Sequence, residues 1–203
     1  MDNCIFTGHC TEPFCDQSCP ALAETSYLLD RNGISMKSRV FSAKPEAIRR
    51  HMDYLKKYEG HFTVMSSTDT VADAELLTYC AICTNWRGSR LHCNVYNLKL
   101  SKYLEDTKQS WSRKAEPEEL EYIRIWCEAA KVLIISNMDF VRFNDYEAQV
   151  LLNIIQSRDV VDKTTIVVSP PVAQLVGVRD SAFFSRLTTT LREAVPGRKG
   201  AGR

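Results

Sequence analysis

The sequence lacks an excess of either charge. Its 203 residues carry 26 Lys+Arg and 25 Asp+Glu, a net charge of +1. A globally basic coat for nucleic acid is thereby excluded, although local basic patches are not. Long apolar runs are also missing. The longest strongly apolar stretch is Val132-Leu133-Ile134-Ile135, far short of the roughly 20 residues of a membrane span. No basic segment followed by an apolar one opens the chain, as a secretory leader would. The expectation is a soluble, cytoplasmic protein with no membrane partner. Histidine is scarce: His9, His51, His61 and His92 are the four. None has a nucleophile and an acid close by in the chain, so an enzyme with unrelated chemistry would need a site assembled in three dimensions. No internal repeat is visible.

Enough apolar sequence is present for a packed core, with 44% hydrophobic and 25% charged residues. The length suits one domain of ordinary size with a small appendage. The eight cysteines need a reason, and four of them fall within the first 19 residues. Cys4, Cys10, Cys15 and Cys19 have the spacing C-x5-C-x4-C-x3-C, with His9 beside the second. Zinc takes four such ligands in a tetrahedron. A segment this short buries too little surface to fold alone, so the metal would supply its folding energy. Structural Zn2+ is the expected cofactor, disulfides or unrelated thiols being the alternatives. His9 is read as replacing one cysteine or as a neighbouring group. Cys80 and Cys83 form a C-x2-C near His92 and Cys93, but Leu76, Leu77, Cys80 and Cys83 recur at helical spacing, which reads as core. Cys127 reads as core as well.

Charge is distributed unevenly. Residues 1–20 contain Asp2, Glu12 and Asp16 and neither Lys nor Arg. Residues 31–59 contain Arg31, Lys37, Arg39, Lys44, Arg49, Arg50, Lys56 and Lys57 against Glu46, Asp53 and Glu59. The end of the chain, from Arg186, is basic again, and its last eight residues carry nothing that builds a core. The pattern predicts a helix near Ala21–Arg31 ended by Asn32-Gly33, a linker over Lys37–Lys44, and a helix from Pro45 to about Tyr58 stopped by Gly60. Strands are expected at His61–Ser66, Leu91–Asn97, Lys131–Ile135 and Thr164–Val168. Helices are expected at Ala72–Trp86, Leu100–Trp111, Pro117–Ala130 and Asn144–Ser157, the last with Tyr146, Val150, Leu151 and Ile154 on one side. A final helix with a short strand is expected near Thr188–Val195. Such alternation argues for an α/β domain with a mostly parallel sheet. The basic helix offers Arg49, Arg50, Lys56 and Lys57 as candidate DNA contacts, with Tyr54 and Tyr58 as candidate stacking platforms. Its other reading is a packed helix with a solvated polar side. Trp86, Trp111 and Trp126 read as packing residues near helix ends.

Three segments carry a resemblance: CIFTGHCTEPFCDQSCPALAETSYLLDRNGI, KVLIISNMDFVRFNDYEAQVLLNIIQSRDVVDKTTIVVSPP and FFSRL. Together they resemble the helicase-loader-like ATPases of bacteriophages and Firmicutes. That resemblance implies a P-loop domain of AAA+ type, preceded by a small N-terminal zinc-binding module. The implied organisation is a cysteine-rich module and short helix (1–32), a basic linker and helix (33–60), an AAA+-like domain (61–195) and a basic tail (196–203). It implies a bacterial host cell, a replicative helicase or helicase loader as partner, and homo- or hetero-oligomers. A working P-loop reads G-x4-G-K-[ST], with glycines opening the backbone to phosphate, Lys neutralising it and the hydroxyl holding Mg2+. Laid on the strand at His61–Ser66, this sequence reads SSTDTVADA. The lysine position falls on Asp73 and the hydroxyl position on Ala74, so a phosphate there would meet a repelling carboxylate. The acidic pair that should close the next buried strand falls on Ser136 and Asn137, and Asp139 lies two residues late, pointing elsewhere. The third strand ends in Ser169-Pro170. No ATP is expected to be bound or hydrolysed. Arg186 matches the arginine that the family extends into a neighbour's site, its plainer reading being a surface salt bridge. The expected function is a catalytically inactive, helicase-loader-like adaptor of DNA replication, either helping loading or inhibiting the host machinery. The alternative is a single-stranded DNA-binding accessory protein acting through the basic helix.

Overall fold

A computed structural model of the chain describes residues 28–35, 38–88, 95–113, 118–158, 162–178 and 180–196. The cysteine-rich segment with Cys4, Cys10, Cys15 and Cys19, the pair His92 and Cys93, and residues 197–203 lie outside the described residues. A helical segment ends at Arg31, and Gly33 takes a positive φ of 69° where the chain reverses. A short turn of 3-10 helix over Arg39–Ser42 buries Val40 within the stretch expected as a linker. Then follow α1 (Pro45–Lys57), β1 (Phe62–Ser66), α2 (Thr70–Gly88), β2 (Val95–Lys99), α3 (Leu100–Arg113), α4 (Glu118–Ala129), β3 (Val132–Ser136), α5 (Asp145–Ser157), β4 (Thr164–Ser169) and α6 (Ala182–Glu193).

The four strands form one all-parallel sheet in the order β1-β4-β3-β2. Each strand is short, apolar and β-branched where it is central, as strands covered on both faces must be. Alternate residues serve opposite faces. Ile134, Ile166 and Val168 meet Leu55, Leu77, Cys80 and Ile82 from α1 and α2. Leu133, Ile135 and Val167 meet Leu104, Leu151, Leu187 and Leu191 from α3, α5 and α6. The result is a sheet sandwiched between two helical layers.

Local chemistry sets the helix ends. Pro45 opens α1, where its missing N–H costs nothing. Gly60, with a φ of 74°, lets the chain turn into β1. Asn144 and Glu147 form a reciprocal capping box at the start of α5. The Asn32 side chain closes the outer edge of β2, accepting from the Asn97 N–H at 2.6 Å and donating to the Val95 carbonyl at 3.4 Å.

The buried stripe of α5 is Ala148, Leu151, Leu152 and Ile155, a regular i, i+3, i+4, i+7 set, and Tyr146, Val150 and Ile154 pack half-buried against the same cluster. One expectation is corrected. The segment from Thr188 onward continues α6 and forms no strand. Its β-branched residues tolerate the helix because Thr188, Thr189 and Thr190 return their hydroxyls to carbonyls three or four residues back. Beyond the helix, the Ala194 carbonyl accepts the Val64 N–H at 3.1 Å, a single bond along the outer edge of β1.

Candidate functional site

In an open parallel sheet, ligands bind outside the carboxyl ends of the strands, where connections leave to opposite faces. Here α2 departs from β1 over one face, while α5 joins β3 to β4 over the other. The crevice at the carboxyl ends of β1 and β4 is therefore the place to examine. Its walls are the turn 67–69, the first turn of α2, the end of β4 and the turn that follows β3. The Ser67 N–H reaches the Ser169 carbonyl at 2.9 Å and zips the two strands one residue further.

The three-residue connection from β1 to α2 is too short to wrap a phosphate, and it spends its polar groups internally. Ser67 is buried; its hydroxyl accepts the Asp69 N–H at 2.9 Å and donates to Asp73 at 2.6 Å. Asp69 caps α2 by accepting the Ala72 N–H at 3.1 Å. The free N–H groups of a helix start are what an incoming phosphate would use, and here a carboxylate of the protein stands among them. The Thr70 hydroxyl donates to Asp139 at 3.0 Å. Asp139, expected to point elsewhere, thus reaches back across the crevice and adds a further carboxylate.

Asp73 is not the bare repelling charge that the sequence suggests. His51 lies on α1, fully buried, with Nε2 2.9 Å from Asp73 Oδ1 and Nδ1 2.7 Å from the Ala47 carbonyl. Both ring nitrogens thus face oxygen atoms of the protein. A guanidinium nitrogen of the exposed Arg50 stands 3.6 Å away. The hydrogen bond from His51 is the largest cause holding the Asp73 carboxyl below the usual carboxylate range. Partial burial works against it, and Ser67 and the neighbouring positive charges add to it. Ser67, Asp73 and His51 contain the residue types of a nucleophilic triad in an unreactive arrangement. The serine proton points at the aspartate, and neither histidine nitrogen is free to take it.

The other positions expected at a nucleotide site are not gathered here. Ala74 is buried in the core between α2 and the sheet. Ser136 is buried and turned toward β2, donating to Asn97 Oδ1 at 2.8 Å. Asn137 takes the left-handed conformation with a φ of 60° and starts the turn that carries Asp139. Arg49, Arg50, Lys56 and Lys57 are exposed on α1, with Glu46 and Asp53 exposed among them. Tyr54, expected as a stacking platform, bonds its phenol to the Thr63 hydroxyl at 3.0 Å and packs its ring 4.6 Å from that of Tyr58. Burial pushes its phenol up to about 12. Arg186 is exposed on α6, and among the described residues it enters no ion pair.

Cys80, Cys83 and Cys127 are buried and unpaired by disulfides, and burial pushes the Cys80 and Cys127 thiols up to about 12. Among the described residues no group of His, Cys, Asp and Glu is arranged to hold a metal. Among them, too, no helix is long and apolar enough to cross a membrane.

Two important residues escaped the sequence reading. His51 was counted, but its partner lies 22 residues away on another helix. Arg158 is 2% exposed at the opposite edge of the sheet. Its Nε donates to the Thr165 hydroxyl at 2.9 Å, and its Nη2 donates to the carbonyls of Ala130 at 2.9 Å and Thr164 at 3.1 Å. Its Nη1 donates to the carbonyls of Cys127 and Glu128 at the end of α4. Burial pushes this guanidinium down to about 10. An arginine at the end of a helix was the only signal for it.

Set against known proteins, the chain matches no family model, no curated protein and no solved structure.

Proposed function

We propose that the protein is a non-hydrolysing adaptor of DNA replication, an α/β domain of P-loop type that binds a replicative helicase or a helicase loader without using ATP. One observation supports the non-hydrolysing half: the crevice at the switch point is filled by the protein's own carboxylates. Asp69 caps the helix start that a phosphate would use, Asp73 is locked to His51 and Ser67, and Asp139 is bonded to Thr70. A like-charge contact at about 4 Å costs on the order of 4 kcal/mol at the effective dielectric of a protein surface; Asp69 and Asp139 would present such a contact, whereas Asp73 is partly offset by Arg50 at 3.6 Å and bonded to His51. The partner class comes from the resemblance of the three quoted segments. A filled site leaves the outer surfaces of such a domain intact, because fold and site are separable. On this reading Cys4, Cys10, Cys15 and Cys19 hold a structural zinc at the partner-binding end, and Arg186 acts on a neighbouring subunit.

Affinity purification of the full chain from its native host or infected cells tests this reading. Recovery of a replicative helicase or loader in near-stoichiometric amount supports it. Recovery of DNA alone, or of an unrelated protein, contradicts it. In the DNA-only case the exposed Arg49, Arg50, Lys56 and Lys57 become the contacts, and affinity falls steeply with salt.

A further inference from the structure

A second cavity, of about 290 Å³, opens beside β2, away from the crevice. Arg31, Lys99, Tyr96, Tyr103, Ile123 and Trp126 line it. The Arg31 guanidinium stands over aromatic rings, 4.1 Å from the centroid of Trp126 and 5.9 Å from that of Tyr96. Its Nε is shielded from solvent and has no hydrogen-bond partner. Buried donors are almost always paired, so this guanidinium is short of one acceptor, although Nε itself lies out of a ligand's reach. Among the described residues Arg31 and Lys99 enter no ion pair, whereas the third cation of the wall, Lys102, is taken by Asp106 at 2.7 Å.

We propose that this cavity binds an organic carboxylate, held end-on by the two Nη groups of Arg31, with Lys99 as second cation. Three features select this ligand. A carboxylate matches the paired N–H fork of a guanidinium. The walls from Trp126, Tyr96, Tyr103 and Ile123 favour an apolar body behind the charge. Asp30 and Glu119 on the same lining oppose a doubly charged phosphate. Such a carboxylate has two sources: a separate molecule, or the chain's own first 27 residues, which carry Asp2, Glu12, Asp16 and Glu24 and neither Lys nor Arg.

The test uses the full chain with Trp86→Phe and Trp111→Phe, leaving Trp126 as the only reporter, and titrates 3-phenylpropionate and, separately, inorganic phosphate at constant ionic strength. The expected result is a saturable change in Trp126 emission with 3-phenylpropionate, weakened about tenfold or more by Arg31→Met and by Arg31→Lys, because a single ammonium cannot form the paired bonds. Lys99→Met weakens binding by a smaller factor and keeps the proposal testable if the Arg31 variants fail to fold. In the same background, changing Asp2, Glu12, Asp16 and Glu24 to their amides separates the sources. Tighter probe binding assigns the native carboxylate to the chain itself, and equal binding assigns it to a separate molecule. The proposal is overturned by no saturable change up to about 20 mM probe, by unchanged binding in the folded Arg31 and Lys99 variants, or by phosphate binding as well as 3-phenylpropionate.

Discussion

The two ends of the sheet each bury a basic side chain, and they hold it in different ways. At the amino edge, Arg158 is held by five neutral acceptors, the Thr165 hydroxyl and four backbone carbonyls, three of them at the end of α4. No carboxylate is among them. The negative end of a helix and fixed carbonyl dipoles replace the water that the guanidinium gave up. At the carboxyl edge, His51 is held by one carbonyl and one carboxylate, and that carboxylate stands at the crevice where a ligand would enter. The first arrangement ties α4, α5 and β4 together and offers nothing to a ligand. The second ties α1 to the start of α2 and closes a site. A buried basic side chain is therefore a fastener in both places, and only its position relative to the strand ends gives it a functional meaning.

The comparison is broken most severely at Arg158. Arg158→Met leaves four carbonyls and a hydroxyl without their donor, and the expected loss is about 3 to 5 kcal/mol, read as a fall in the denaturation midpoint. His51→Leu is expected to cost about 2 to 3 kcal/mol, because Asp73 is partly buried and loses its hydrogen-bond partner. In the double variant with Asp73→Asn most of that loss is regained, and a double-mutant cycle measures the coupling. Asp69→Ala removes the cap of α2 and costs about 1 kcal/mol. Removing the exposed ion pair between Lys131 and Glu59 changes stability by less than about 0.5 kcal/mol.

Acid sharpens the comparison further. The folded Asp73 carboxyl is held below its unfolded value of about 3.9. Its contribution to stability is complete above that value and disappears as pH falls through the folded one. Glu147 shares this acid limb. Burial works to raise its carboxyl, but the Lys108 ammonium and the Asn144 N–H outweigh it and hold it low. A melting curve recorded against pH therefore falls less steeply on the acid side in Asp73→Asn than in the native chain. Equal acid limbs in the two proteins would show that Asp73 is not held in the folded state.

The sheet was legible because its signals are local. Val132–Ile135 and Thr164–Val168 are uninterrupted β-branched and leucine runs, Pro45 marks the start of α1, and Gly60 marks the turn after it. The buried side of α5 was less legible, since half-buried Tyr146 and Val150 compete with the alanine and leucine stripe in apolar character. The crevice was half legible. The alignment of Asp73 with a lysine position points to this turn, but the sequence presents that aspartate as a naked charge. Its pairing depends on His51, brought in by the packing of α1 on α2, and no short-range pattern records that. Arg158 was illegible for a different reason: its partners are backbone carbonyls, which every residue possesses.

The most direct test of the central claim is calorimetric titration of the full chain with ATP, with and without Mg2+. Carboxylates that occupy the helix start and leave no lysine beside it predict no saturable binding at millimolar nucleotide. Micromolar, Mg2+-dependent binding would contradict the account, because it would mean that the crevice opens and that Asp69 and Asp73 leave the positions on which the closed site depends.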